Sequence, residues 1–204
     1  MSQLLSVHPQ NPQQRKLQLA VNALAEGGLV VYPTDTAYAI GCHIGDKSAL
    51  ERIMALRRLD KRHQFTLACS DLRELGVYAR VDNANYRLLK RVTPGPFTFV
   101  LRATRDVPKR LIHAKRRTIG LRVPDHPIAA QLLALMGEPI MTTTLRLADE
   151  EHPLTDAQVI HERLGSQVDV VLDGGICGVE LSTVVDLTGP NPEIIRQGKG
   201  KLEI

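Results

Sequence analysis

The chain has 204 residues, of which 43% are apolar and 3% aromatic, and its formal net charge is +4 at pH 7. This length and composition predict a single domain, residues 1–204, whose interior is filled by Val, Leu and Ile. No apolar run reaches the roughly 18 residues of a membrane span, and the first residues lack the pattern of a secretory signal. We therefore expect a cytoplasmic protein with no membrane partner.

The charged and metal-binding residue types exclude several classes of protein. Cys42, Cys69 and Cys177 are odd in number and show no C-x-x-C spacing, so we expect reduced thiols and neither a disulfide framework nor a zinc site. The seven histidines show no H-x-x-x-H or H-E-x-x-H pair, so no metal site is predicted. An isoelectric point near 9.1 favours an anionic partner without identifying it.

In chain order, the hydrophobic periods, caps and breakers predict alternating helices and strands. In the first half these are a helix that opens at Pro12 and ends at Gly27, strands at 29–32 and 37–42, a helix capped by Asp46 or Ser48, a strand at 65–69 and a helical stretch from Asp71. In the second half they are a helix near 83–92, strands at 97–102 and 118–123, helices at 127–136 and 157–164 around a strand at 140–144, and strands at 168–172, 182–187 and 194–196. Thr155 is the expected cap of the helix at 157–164.

The connections between these elements indicate the fold class. Several strands are joined by segments too short to hold a helix, so parallel crossovers cannot account for the whole sheet. We therefore expect an α/β fold with a mixed parallel and antiparallel sheet.

Familiar catalytic and nucleotide-binding signatures are missing. The chain has no G-x-x-x-x-G-K-[ST] loop and no strand-led G-x-G-x-x-G, which excludes a P-loop nucleotidase and a Rossmann dinucleotide binder on sequence grounds. It also has no G-x-S-x-G elbow, and Cys177 lacks a nucleophile motif. The sequence identifies no catalytic residue and no cofactor built into the protein.

Hydroxyl and guanidinium groups instead collect at predicted strand ends, where α/β sheets bind ligands. Together they suit a phosphate or carboxylate, although a single Thr is more often an ordinary strand residue and a single Arg a solvated charge. In the strand at 118–123, Gly120 and Arg122 alternate with Ile119, Leu121 and Val123. If the apolar side meets the core, Arg122 faces open space or a ligand.

Five ordered segments resemble the signatures of the YrdC-like family. The Tyr-Pro-Thr-Asp-Thr segment is similar to the family's YPTDTVYG, and the others match its PGPxTxxL, vGvRxPdhP, STIVDL and iiRxG segments. They are YPTDTAY at 32–38, TPGPFTFVL at 93–101, IGLRVPDHP at 119–127, STVVDL at 182–187 and IIRQG at 194–198. The resemblance covers nearly the whole domain.

The resemblance implies a twisted, open, mixed sheet with flanking helices and a basic cavity. Synthases of this family condense threonine, bicarbonate and ATP into threonylcarbamoyl-adenylate, which is used to modify adenosine 37 of tRNA, and Mg²⁺ would arrive with the ATP. Thr34, Arg122 and Ser182 would face the amino-acid carboxylate and hydroxyl, and Arg196 and Thr144 would face nucleotide or phosphate. The full set of expected substrate-binding residues is Thr34, Asp35, Thr36, Arg57, Arg58, His63, Thr98, Arg122, Thr142, Thr144, Ser182, Thr183 and Arg196.

The chain departs from the synthases at two pairs of residues. The family's K-x-R falls here on Arg57, Arg58 and Leu59, and its S-x-N falls on Thr144, Leu145 and Arg146. Those residues would hold triphosphate and adenine, and a leucine cannot donate a hydrogen bond. The departures imply a branch of the family in which the scaffold is kept and adenylate synthesis is altered, and Arg58 or Arg62 is the candidate replacement for the missing arginine.

Two functions remain open. In the first, the cavity forms or cleaves a threonylcarbamoyl group, which needs placement of reactants and cations rather than a nucleophile. In the second, the protein binds tRNA or double-stranded RNA without chemistry. The residues expected to bind RNA are Arg57, Arg58, Lys61, Arg62, Lys115, Arg116 and Arg117, and the alternative for the run at 115–117 is a solvated loop.

Overall fold

Ten strands form one sheet within residues 2–60 and 63–203, the part of the chain that the computed structural model describes. The strands are β1 (Gln3–Ser6), β2 (Val30–Tyr32), β3 (Ala39–His43), β4 (Thr66–Ala68), β5 (Phe97–Arg102), β6 (Thr118–Arg122), β7 (Ile140–Thr144), β8 (Val170–Asp173), β9 (Thr183–Asp186) and β10 (Glu193–Arg196). Their order across the sheet is β1-β8-β2-β3-β7-β4-β6-β5-β9-β10. Parallel pairs such as β4 with β6 occur beside antiparallel pairs such as β5 with β6, which confirms the predicted mixed, open sheet.

Six helices in the described part of the chain flank the sheet, and four of them are capped by an aspartate. The helices are α1 (Gln14–Ala25), α2 (Lys47–Arg57), α3 (Leu72–Tyr78), α4 (Asn83–Val92), α5 (Pro127–Met136) and α6 (Ala157–Leu164). The carboxylates of Asp46, Asp71, Asp82 and Asp156 accept backbone N–H bonds at the starts of α2, α3, α4 and α6. The predicted cap Thr155 is therefore wrong: Asp156, one residue later, meets the first free amides of α6.

The helices cover the two faces of the sheet unequally. Apolar side chains of α2, α3, α4 and α6 pack on one face with strand residues such as Ile40, Leu67 and Leu121. On the opposite face α1 and α5 pack together over β8, β2 and β3. Ile140 of β7 and Ala68 of β4 also join that cluster. The rest of this face, over β7, β4, β6 and β5, is the floor of a cavity whose described lining includes no residue of α1 or α5.

Most predicted elements have the bounds seen in the structure to within two residues, and the main exception lies at the edge of the sheet. β1 was not predicted, because its four residues QLLS show no alternation. It forms by parallel pairing with β8, a strand from the far end of the chain, with Gln3 opposite Val170. A short 3-10 turn, Lys109–Leu111, was also not predicted.

The described residues, 2–60 and 63–203, contain neither a candidate membrane span nor a candidate metal cluster. No helix among them combines the length and the apolarity that a membrane span needs. No group of three or more His, Cys, Asp or Glu side chains among them could hold a metal ion. Cys42, Cys69 and Cys177 are all free thiols, and the first two are buried.

Candidate functional site

The part of the sheet formed by β7, β4, β6 and β5 holds a cavity of about 270 Å³. Its floor is built from side chains that point to one face of adjacent strands. Its walls come from the loop after β2, the end of α2, the segment before β4 and the segment around β9 and β10. The lining includes Tyr32, Thr34, Thr36, Arg57, His63, Gln64, Thr66, Thr98, Val100, Gly120, Arg122, Thr142, Thr143, Thr144, Arg146, Leu181, Ser182, Val184 and Arg196.

The cavity extends down to the backbone of the sheet because residues with small side chains lie opposite one another on neighbouring strands. Thr66 of β4 is paired with Thr142 of β7 on one side and with Gly120 of β6 on the other, and Gly120 is in turn paired with Val100 of β5. A Cβ atom at residue 120 would lie 3.0 Å from Thr66 Oγ1 and 3.5 Å from Thr98 Cγ2. Glycine at this position therefore keeps space open for a ligand.

Four arginines line the cavity, and no Asp or Glu is among its described lining residues. Burial and the charge of Arg146 lower the pKa of Arg57 to about 10. Burial, Arg122 and Arg146 together lower the pKa of Arg196. Since the guanidinium groups act on one another as like charges, the cavity has positive charge that an anion would neutralise.

Arg122 and Arg57 are the two buried cations of the site, each with 8% of its surface exposed, and Arg122 has an acidic partner. Its Nη2 donates to Asp35 Oδ1 at 2.6 Å, and its Nη1 donates to Thr36 Oγ1 at 3.3 Å. Arg122 Nε and Asp35 Oδ2 are buried and have no hydrogen-bond partner among the described residues. A buried polar group without a partner costs about 1–3 kcal/mol, so this ion pair is an incomplete match that a ligand could complete.

Hydroxyl groups surround the arginines. Thr98 and Ser182 share a hydrogen bond of 2.8 Å between their side-chain oxygens, and Arg196 Nη2 donates to Ser182 Oγ at 3.2 Å. The Thr34 and Thr36 oxygens lie 3.0 Å apart in the loop after β2. These groups can donate to or accept from the polar atoms of a small ligand.

His63 stands at the wall of the cavity beside Arg57. Its Nε2 lies 3.2 Å from Thr143 Oγ1, and Arg57 also donates to that hydroxyl oxygen. Burial and the charge of Arg57 lower the pKa of His63, with Asp60 acting in the opposite direction. The protein around the imidazole therefore disfavours its protonated form.

The cavity brings together all but three of the residues expected to bind substrate. Asp35 lies behind Arg122 rather than in the lining. Arg58 is exposed and pairs with Asp149 at 3.0 Å, so it does not replace the arginine that is absent at residue 59. Thr183 is fully buried and donates to the Gly200 carbonyl at 2.6 Å.

The residues expected to bind RNA fall into separate places. Lys61 and Arg62 lie outside the described residues. Lys115, Arg116 and Arg117 are exposed in the loop before β6 and do not line the cavity. Arg116 forms an ion pair with the buried Asp186, so it holds the loop to β9 as well as carrying charge.

The two departures from the synthase pattern have clear structural consequences. Leu59 packs against the hydrophobic core, so the cavity has no cation at that position. Arg146 lines the cavity although it was not among the expected binding residues. Its position two residues after Thr144 was the available signal, because alternation places both on one side of the extended chain. Thr66 was also missed, since only strand pairing places it beside Gly120.

Comparison with known proteins agrees with this architecture. The model of the family Sua5/YciO/YrdC, described as telomere recombination, matches residues 22–198. The uncharacterized protein YciO of Escherichia coli K12 is 48% identical over 203 residues, which cover the whole chain and 98% of that protein. A threonylcarbamoyl-AMP synthase of Vibrio vulnificus is 32% identical over 163 residues, 78% of this chain and 87% of the synthase.

Two solved structures share the fold. The crystal structure of E. coli YciO superposes with a TM-score of 0.94 at 49% identity and covers 98% of both chains. The structure of Pyrococcus abyssi Sua5 in complex with L-threonine superposes with a TM-score of 0.88 at 28% identity, covering 97% of this chain and 58% of that protein. The predicted resemblance to the YrdC-like family is confirmed, and the chain is similar to YciO over its whole length.

Proposed function

The chain belongs to the Sua5/YciO/YrdC family, and we propose that its cavity binds the threonyl part of a threonylcarbamoyl group on tRNA and forms or cleaves that group. The observation that carries the proposal is the set of four arginines without a lining carboxylate, arranged with hydroxyls over a floor of small side chains. Such a site fits a small ligand that carries a carboxylate and a hydroxyl.

The threonyl carboxylate has a natural partner in Arg122. Its guanidinium is held by Asp35 and Thr36 but keeps Nε without a partner among the described residues. Thr34 and Ser182, with Arg196 beside Ser182, offer hydrogen bonds to the rest of an amino acid. Support comes from a relative, because the P. abyssi Sua5 structure contains L-threonine.

Cleavage is the direction that the lining residues favour. Synthesis would require ATP, with its Mg²⁺, as a substrate, and the chain has Leu59 in the core and Arg146 at the positions that would hold triphosphate and adenine. Cleavage requires water to add to the carbamoyl carbon and the adenosine amine to leave with a proton. In its neutral form His63 can accept a proton from that water, and Arg57 or Arg146 can stabilise the negative charge that develops on oxygen.

A second candidate is RNA binding without chemistry. It is favoured by Lys115 and Arg117, which are exposed and have no ion pair among the described residues. Under this alternative the cavity would hold part of the RNA and release it unchanged.

The experiment that tests the proposal follows the fate of the modified nucleoside. Threonylcarbamoylated tRNA is incubated with the purified protein, and the modified adenosine is quantified by mass spectrometry after digestion. We expect its loss with the wild type, and no loss with the double variant Arg122→Ala/Arg196→Ala. Arg163→Ala is the matched control and should retain turnover, because Arg163 lies on α6 and forms an exposed ion pair with Glu150.

A parallel reaction measures pyrophosphate release from ATP with threonine and bicarbonate. Removing one well-placed charged group costs about 2–4 kcal/mol, or roughly 30- to 1000-fold in rate, so synthesis should be slower than that of a family synthase by at least this factor. Synthesis at a synthase's rate would contradict the proposed direction. Retention of the modified tRNA without turnover would favour the binding alternative.

A further inference from the structure

We infer that a second basic groove, at the Arg102 end of β5, is a docking site for the phosphodiester backbone of the RNA substrate. The inference deepens the proposed function and rests on it in one respect, that the substrate is an RNA. The groove has a volume of about 380 Å³ and does not share a lining residue with the cavity. Its cationic lining residues are Arg80, Arg102, Arg105, Lys109 and Arg117.

Backbone hydrogen bonds hold the segments that carry these cations. The amide of Arg80 donates to the Arg102 carbonyl at 2.9 Å, and the amide of Ala103 donates to the Arg117 carbonyl at 3.0 Å. Ala79 and Ala103 also form an isolated antiparallel bridge. The backbone positions of Arg80, Arg102 and Arg117 are therefore fixed relative to one another, and their side chains extend into solvent.

The charge of the groove is not neutralised within the described part of the chain. None of its five cations forms an ion pair there, and all five are exposed. Asp106 lies close in sequence, but its carboxylate accepts from Thr104 and not from a groove cation. Arg52, Arg58, Arg116 and Arg163, by contrast, each have a carboxylate partner. Five like charges around one depression repel one another, so an anionic occupant is favoured.

The groove lies next to the cavity along β5, which contributes side chains to both. Thr98 and Val100 of β5 line the cavity, and alternation places Arg102 on the same face two residues further along, about 7 Å away. A nucleotide held in the cavity would therefore place neighbouring phosphates within reach of the groove. The groove lining contains no aromatic side chain to stack a base, so it would contact phosphates and not read sequence.

The test uses the double variant Arg102→Gln/Arg105→Gln and a control with the same change in charge. The control is Arg15→Gln/Arg73→Gln, which removes two exposed cations from α1 and α3 without touching the groove. Binding of an unmodified tRNA transcript is measured by fluorescence titration at several salt concentrations. The slope of log K against log salt is negative, and each phosphate that is no longer neutralised should reduce its magnitude by about 0.7–0.9. The slope of the groove variant should therefore be smaller in magnitude by about 1.4–1.8, so a fourfold rise in salt should weaken its binding about 7- to 12-fold less than it weakens binding of the wild type.

Calorimetric titration with L-threonine accompanies the RNA measurements and reports on the cavity alone. We expect unchanged threonine binding in both double variants. The inference that RNA docks in the groove would be overturned if the groove variant and the control lost RNA affinity equally, or if the wild type did not bind RNA. If the wild type does not bind threonine and does not act on modified tRNA while the groove effect persists, the proposed function fails and the groove stands.

Discussion

Arg122 shows how one residue can be both structural and available to a ligand. The sequence left two interpretations open, a surface arginine with a carboxylate partner and a ligand-binding guanidinium. The structure contains elements of both, because Arg122 pairs with Asp35 but lies buried in the cavity, and its Nε has no partner among the described residues. Asp35 would then hold the guanidinium in place at the cavity, where its charge can attract a ligand anion.

The first prediction concerns the shape of this cation. Arg122→Lys keeps the charge but replaces a planar fork by a point charge that cannot bind Asp35 and a ligand carboxylate in the same geometry. We expect the variant to fold and to show a ten- to hundredfold weaker threonine affinity, equivalent to roughly 1.4–2.7 kcal/mol. Isothermal titration calorimetry measures this, with Arg52→Lys, in the ion pair with Asp169, as control. Full affinity in Arg122→Lys would make Arg122 structural only.

The second prediction follows from the lowered pKa of His63. A histidine whose folded pKa lies below its unfolded pKa of about 6.5 contributes stability at pH values above the unfolded pKa. This contribution is lost as the pH falls through the folded pKa. Burial and Arg57 are the causes at His63, and burial also lowers the pKa of His126. The free energy of unfolding should therefore decrease between about pH 7.5 and about pH 5.5.

Urea denaturation at the two pH values measures the effect. His63→Gln removes one of the groups that must be protonated against its surroundings, so its decrease in stability on acidification should be smaller than that of the wild type. The control is His152→Gln, which changes an exposed histidine. An identical pH dependence in the wild type and His63→Gln would show that His63 does not resist protonation.

At the scale of the elements, successive residues of β6 have different roles, since one side of the strand packs in the core and the other side faces the cavity. Leu121 is fully buried in the core face, and Gly120 faces the cavity. The third prediction is that Leu121→Ala destabilises the protein by about 2–5 kcal/mol. Gly120→Ala places a methyl 3.0 Å from Thr66 Oγ1 on the cavity floor and should chiefly weaken ligand binding.

Chemical denaturation and calorimetric titration of the two variants measure these opposite effects, and each variant serves as the other's control. Leu121→Ala that still folds should bind threonine with nearly wild-type affinity, because its side chain does not line the cavity. If Gly120→Ala binds threonine as tightly as the wild type, the ligand does not use this part of the floor.

The strands and helices that the sequence predicted best are those whose signals are local. The alternation of residues 118–123 and the proline at the start of α5 specify their elements without help from the rest of the chain. β1 could not be predicted, because its partner β8 lies in a distant part of the sequence. The Thr155 cap failed because two neighbouring residues could both accept the same amides, and only the turn of the backbone selects Asp156.

The candidate site was predicted less completely for a similar reason. Motif resemblance selected Thr34, Arg122 and Ser182, which do line the cavity. It also selected Thr183. Because side chains alternate between the two faces along β9, Ser182 and Val184 point into the cavity and Thr183 is buried on the opposite face of the sheet. The partner of Arg58 is Asp149, 91 residues away, and nothing in the local sequence reveals that ion pair.

At the scale of the whole molecule, the position of the charges matters more than their sum. A net charge of +4 is a weak attraction for RNA, whereas nine cations of the described residues are concentrated in two neighbouring sites, four in the cavity and five in the groove. Binding of RNA should therefore depend on a small number of localised contacts with phosphates.

The last prediction is that RNA binding by the wild type is electrostatic and largely independent of sequence. If the five groove cations each contact one phosphate, the slope of log K against log salt should be about −3.5 to −4.5, and affinity should fall about 100- to 500-fold for a fourfold rise in salt. A fluorescence titration measures the slope, and a shuffled RNA of equal length and folded content should bind within about threefold, because no aromatic side chain lines the groove to select bases. Affinity that does not change with salt, or strong preference for one of the two RNAs, would mean that bases rather than phosphates determine binding.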